Sequence, residues 1–154
     1  MAGTAVTPSP ALLMRVLLAG MTLIGLQIGV WALIWPQGWF DEFPGFGRAW
    51  VAADGVYNEH LVRDVGAAYL ALGALAAWSA VVLRRDVVVA TAAAWVLFGL
   101  PHFAYHLTTV DLYGTGDAIA NVASLGTAVV IPGLVAGLAM RLPRAVAPLE
   151  NYER

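Results

Sequence analysis

The sequence predicts an all-α membrane protein, an antiparallel bundle of four transmembrane helices with both termini in the cytoplasm. Hydrophobic residues make up 60% of the 154-residue chain and charged residues only 12%, whereas about 25% of the residues in a soluble domain are charged. A chain this short cannot hide so much apolar surface from water. Four apolar runs approach the roughly 20 residues that span a bilayer, and arginines are distributed unevenly between the segments that join them.

Each apolar run is predicted to form a helix, because only internal hydrogen bonds can satisfy a backbone surrounded by hydrocarbon. The first run is interpreted as a retained span. Its apolar stretch is long for a signal peptide, its basic flank consists of Arg15, and no small-residue cleavage site follows it. The whole chain, residues 1–154, is therefore expected to be one transmembrane domain. The predicted spans are residues 14–35, 61–83, 87–108 and 117–140.

The segments between the spans differ in length and character. Residues 36–58 are rich in aromatic side chains, so we expect this segment to lie in the membrane interface or to fold over the bundle as a lid. The spans contain many small residues that permit close helix packing. Gly133 and Gly137 form a GxxxG pair, which predicts a dimer contact or a contact within the bundle.

Orientation follows from the arginines, since cytoplasmic segments carry the excess of basic residues. Arg48 and Arg63 fall on one side of the predicted membrane, and six arginines fall on the other. The protein is therefore expected in the cell (inner) membrane, with residues 36–58 outside the cytoplasm. The six arginines assigned to the cytoplasmic side are Arg15, Arg84, Arg85, Arg141, Arg144 and Arg154.

Polar residues near the extracytoplasmic end of three spans occur in pairs four positions apart, which puts each pair on one helix face. Polar side chains within spans are costly and usually face the bundle interior. If the three faces converge, they form one polar pocket open to the outside. The pairs are His60 with Asp64, His102 with His106, and Asp117 with Asn121.

Three imidazoles and a carboxylate are a suitable ligand set for Zn²⁺, Fe²⁺, Mn²⁺ or Cu²⁺. The predicted metal ligands are His60, Asp64, His102 and His106. Asp64 and Glu59 are the candidate catalytic bases for a metal-bound water. Residues close to the ligands that would support them are Arg63, Tyr105, Asp117 and Asn121. Two alternatives stay open: a purely structural polar network, and a proton or polar-ligand site without metal.

The sequence leaves open whether the protein is an enzyme. The alternative function is that of a non-catalytic accessory subunit, whose apolar faces pack on partner helices. Expected partners are the lipid bilayer and either further copies of the chain or other membrane subunits. The chain has no cysteine, which excludes disulfides and thiolate metal sites, and a net charge of −2 without a basic stretch does not indicate nucleic acid binding.

The segment "YNEHLVRDVGAAYLALG" and the later "PHFAYHLTTVD" resemble a group of small four-helix membrane proteins of actinobacteria that have no assigned function. The resemblance covers roughly residues 36–125. The resemblance implies that five residues stand at the positions that characterise the group: His60, Arg63, Asp64, His102 and His106. The four-span plan is also loosely similar to DoxX-like proteins in topology, and topology alone does not establish a function.

Overall fold

Four long helices form the protein in a computed structural model that describes residues 9–143. All four are long and apolar enough to cross a membrane, which confirms the predicted helical bundle with four candidate membrane-spanning helices. They are α1 (Pro10–Ile34), α4 (Glu59–Val82), α5 (Arg85–Thr108) and α6 (Thr115–Ala139). Arg144 and Arg154, which contribute to the predicted orientation, lie outside the described residues.

Local sequence signals account for where the helices begin and end. The Ser9 hydroxyl accepts a hydrogen bond from the Leu12 amide at 3.2 Å, and Pro10 occupies the first helical position of α1, where its missing N–H costs nothing. Asn58 caps α4 in the same way, accepting from the Leu61 amide at 3.2 Å. Leu83 ends α4 in the left-handed conformation, with φ of 47°.

The aromatic segment between the first two spans is folded rather than extended. It contains α2 (Pro36–Glu42), a two-stranded hairpin of β1 (Pro44–Gly45) and β2 (Arg48–Ala49), and α3 (Trp50–Ala53). Trp39, Phe40 and Trp50 are buried. The segment therefore folds onto one end of the bundle, as the predicted lid would, and we call that end the loop end.

Glycines bring α1 and α4 into direct backbone contact. A Cβ atom added at Gly25 would lie 2.6 Å from the Cα of Gly73, and one added at Gly29 would lie 2.8 Å from the Leu70 nitrogen. Gly66 faces the same contact from α4. Small residues permit such close approach of helices in membranes, so this pair is packed backbone against backbone.

Arginine side chains tie the ends of α1 and α4 together. Arg15, in the second turn of α1, donates to the carbonyl of Ala80 near the end of α4. Arg63, near the start of α4, donates to the carbonyl of Leu33 at the end of α1. The start of each helix thus lies beside the end of the other.

The second helix pair is α5 with α6, and each of these helices packs far less on the first pair. Between α4 and α5, the buried hydroxyls of Ser79 and Thr91 are 2.7 Å apart. The Trp95 indole N–H donates to the Leu72 carbonyl at 3.1 Å. These polar contacts join the two helix pairs on one side.

The predicted role of Gly133 and Gly137 within the bundle is wrong. Both are exposed, and Cβ atoms added at either would meet nothing within 4 Å. The GxxxG pair that makes the close contact is Gly25 and Gly29 of α1, in "GLQIG". The alternative prediction, a dimer contact through Gly133 and Gly137, is unaffected by this finding.

Candidate functional site: a cavity between two helix pairs

A cavity of about 740 Å³ lies between the α1–α4 pair and the α5–α6 pair. All four long helices and the aromatic segment contribute to its wall. The volume is in the range of about 300–1,000 Å³ that is typical of small-molecule sites. The cavity exists because each helix packs tightly on one neighbour and loosely on the other.

The cavity is long, and most of its wall is apolar. Its lining on α1 extends from Val16 to Ile28, which is about 18 Å at 1.5 Å per residue. At the end remote from the aromatic segment the wall includes Leu17, Gly20 and Pro132. The shape and chemistry suit an extended hydrocarbon chain.

Polar groups are concentrated where the cavity meets the loop end. Within residues 9–143, four buried side-chain atoms have no hydrogen-bond partner: Trp39 Nε1, Asp54 Oδ1, His106 Nδ1 and Asn121 Oδ1. All four residues line the cavity. Burying such an atom without a partner costs about 1–3 kcal/mol, so four of them on one wall mark a place for a polar ligand group.

The two histidines of "HFAYH" lie on this wall. The rings of His102 and His106 are 4.7 Å apart between centroids and roughly perpendicular. His102 also stacks on Phe98, with ring centroids 5.8 Å apart. Asp54 lies close enough to both imidazoles to interact with them electrostatically. Two imidazoles and a carboxylate are therefore available to bind or orient a ligand.

Polar contacts to α6 and its preceding turn hold the aromatic segment over the cavity. Arg48 forms an ion pair with Asp117, and the Trp50 indole N–H donates to the same carboxylate at 3.0 Å. The Tyr113 hydroxyl donates to the Trp50 carbonyl at 3.2 Å. Partial burial raises the pKa of Tyr113, and the Asp54 carboxylate acts in the same direction, so this hydroxyl remains a donor at neutral pH.

The predicted polar pairs do not all meet at one pocket. His102, His106, Tyr105 and Asn121 line the cavity, and Asp117 holds the aromatic segment above it. The remaining predicted residues lie on the outside of α4. His60 and Asp64 pair with each other at 3.0 Å, with side chains 86% and 65% exposed. The carboxylate of Glu59, a predicted base, is 2.8 Å from the Arg63 guanidinium.

This placement separates the predicted metal ligands into two sets. His60 and Asp64 are on the exposed face of α4, and His102 and His106 are on the cavity wall. Across residues 9–143, no group of three or more His, Asp or Glu side chains is arranged to hold an ion. The four residues therefore do not form the single ligand set that the sequence predicted.

Two residues of the polar wall were missed in the sequence. Asp54 lies in a loop that carries no recognisable motif, and Trp39 is only one of several aromatic residues in the segment 36–58. The available signal was the density of tryptophan and phenylalanine around Asp54, since a carboxylate within an aromatic segment that folds onto a bundle is partly buried.

No protein family model matches this chain, and neither the curated proteins nor the solved structures contain a significant match to it.

Proposed function

We propose that the protein binds one membrane-soluble, amphipathic molecule in the cavity. The hydrocarbon part would lie between the two helix pairs, and the polar head would meet Asp54, His106 and Asn121. The observation that carries the proposal is the coincidence of a long apolar cavity with four unpartnered buried polar atoms at one end. This is the composition of a ligand site: mostly apolar, with a few polar groups that orient the ligand.

The size of the cavity supports an occupant. Its volume of about 740 Å³ lies within the range of about 300–1,000 Å³ that is typical of small-molecule sites. The apolar wall disfavours a filling of water alone, so a hydrocarbon chain is the occupant that the lining favours.

A matched pair of glycine substitutions tests the proposal. Gly20 lines the cavity and Gly133 does not, and a Cβ at either position would meet no atom within 4 Å. We therefore expect the ring of Gly20→Phe to enter the cavity, while Gly133→Phe makes the same change on an exposed face. Native mass spectrometry of the detergent-solubilised protein should show one long-chain alcohol bound per wild-type chain. Binding should weaken at least about tenfold in Gly20→Phe and remain unchanged in Gly133→Phe; equal binding by all three would refute the proposal.

We further propose that the helices are antiparallel, with both termini in the cytoplasm and the loop end outside. The arginine distribution supports this orientation, and the contacts of Arg15 and Arg63 support the antiparallel order of α1 and α4. Because the chain has no cysteine, single cysteines report sidedness cleanly. A membrane-impermeant maleimide should label Phe46→Cys in spheroplasts, and Arg141→Cys only after lysis. The reverse pattern would invert the topology.

The predicted divalent metal remains a separate proposal, supported by the two adjacent imidazoles of His102 and His106. Elemental analysis of the purified wild type and of His102→Ala distinguishes it from lipid binding. A substoichiometric metal content that the substitution leaves unchanged would rule it out. Copurification of a stoichiometric membrane partner would favour the accessory-subunit alternative.

A further inference from the structure

We infer that the bound molecule is a long-chain lipid with an uncharged, hydroxyl-bearing head, and that Asp54 discriminates against lipids with an anionic head. The inference rests on the proposed function, because it concerns the ligand of the same cavity. It follows from the hydrogen-bonding types of the unpartnered atoms and from the charges on the cavity wall.

The unpartnered atoms include both donors and acceptors. The indole nitrogen of Trp39 can only donate, and the carboxylate oxygen of Asp54 can only accept. The Asn121 Oδ1 atom accepts, and His106 Nδ1 does either, according to its tautomer. A hydroxyl group donates and accepts at once, so a head bearing hydroxyls can satisfy this set. A phosphate ester can serve only the donors, and an ammonium only the acceptors.

The charges on the wall oppose an anion. Among the described residues that line the cavity, the chain contributes the Asp54 carboxylate and no arginine, and the sequence contains no lysine. The two arginines of residues 36–63 form ion pairs elsewhere: Arg48 pairs with Asp117, and Arg63 pairs with Glu59. An anionic head would therefore meet an uncompensated negative charge in a setting of low dielectric constant, where repulsion is strong.

The position of Asp54 also explains why a cationic head is not the best fit. An ammonium would gain the attraction of the carboxylate, but it would leave the Trp39 N–H without an acceptor. It would also place a second charge within electrostatic range of the imidazoles of His102 and His106, which already interact with that carboxylate. An uncharged hydroxyl is the head that satisfies both kinds of atom without placing a second charge in the site.

Three probes that share one chain and differ only in the head test this inference: oleyl alcohol, oleyl phosphate and oleylamine. Each is titrated into the full-length protein in detergent, with native mass spectrometry as the readout. We expect the alcohol to bind the wild type at least about tenfold more tightly than the phosphate or the amine. Asp54→Asn should reduce the difference in affinity between oleyl alcohol and oleyl phosphate, because the substitution removes the negative charge and keeps the shape of the side chain.

Asp111→Asn is the matched control, since Asp111 is exposed and does not line the cavity; it should leave the order of affinities unchanged. Asn121→Asp adds a second carboxylate and should weaken the phosphate further. Equal or tighter binding of the phosphate or the amine by the wild type would overturn the inference. In that event the proposed function would still stand, provided that Gly20→Phe weakens all three probes. If no probe binds, or if Gly20→Phe leaves binding unchanged, the proposed function itself fails.

Discussion

Replacing Gly25 by alanine tests the close contact between α1 and α4. The added Cβ would lie 2.6 Å from the Gly73 Cα, whereas ordinary contact begins at 3.4 Å, so the two backbones must separate by about 0.8 Å. Both sides of the contact are backbone, and no flexible side chain can yield. Overpacking of this kind typically costs about 1–3 kcal/mol, and the gain in helix propensity from Gly to Ala is at most about 1 kcal/mol.

Gly20→Ala in the same helix is the control, because its Cβ meets nothing within 4 Å. The gain in helix propensity is common to both variants, so the difference between their free energies of unfolding reports the cost of the close contact alone. We expect Gly25→Ala to be less stable than Gly20→Ala by about 1–3 kcal/mol. Unfolding midpoints in a titration with SDS measure this difference in the detergent-solubilised protein. Gly73→Ala, whose Cβ would lie 3.2 Å from Gly25, should fall between the two. A midpoint for Gly25→Ala at or above that of Gly20→Ala would refute the reasoning.

Three further predictions concern the loop end and the joint between the helix pairs. Arg48→Gln should speed amide hydrogen exchange in residues 43–53, and Asp117→Ala should do so more strongly, because this carboxylate also accepts from Trp50; exchange equal to wild type in both would contradict the role of the ion pair. The pKa of Tyr113 is raised in the folded protein. Its contribution to stability is therefore present at pH values below the ordinary tyrosine pKa near 10 and is lost as the pH rises through the pKa of the folded state. Tyr113→Phe should accordingly lose less stability above pH 10 than the wild type. Ser79→Ala and Thr91→Ala should each cost about 1 kcal/mol, and the double variant should cost less than their sum because the hydroxyls bond each other; strict additivity would show that the bond contributes nothing.

The four spans could be predicted because length and hydropathy determine them almost alone. Each predicted span agrees with its helix to within a few residues, and the largest difference at an end is four residues, at Pro10. The fold of residues 35–58 could not be predicted in detail, because it depends on tertiary burial of Trp39 and Trp50 rather than on any periodic pattern. The GxxxG motif that makes the close helix contact, "GLQIG", is visible in the sequence. A GxxxG motif alone, however, does not show whether another helix packs against it.

The candidate site was predicted only in part, for a geometric reason. A spacing of four residues places His60 and Asp64 on one face of α4, but it does not say which face meets the bundle. The face that packs on α1 carries Gly66 and Gly73, because small residues allow the closest approach. His60 and Asp64 are therefore left on the exposed side. His102 and Asn121, by contrast, both line the cavity.

The backbone contact of α1 with α4 and the Ser79–Thr91 hydrogen bond are made by residues that do not line the cavity, whereas Trp95 both joins α5 to α4 and lines it. Gly25, Gly29, Gly66 and Gly73 fasten α1 to α4, and Ser79 with Thr91 joins α4 to α5, yet none of these residues lines the cavity. Gly20, Ser124 and Ala128 line it without making those contacts. Substitutions at sites with no shared partners tend to act independently. Lining residues that make none of these contacts, such as Gly20 and Ser124, are therefore free to diverge during evolution, which would change the ligand that the chain accepts while the helix contacts stay the same.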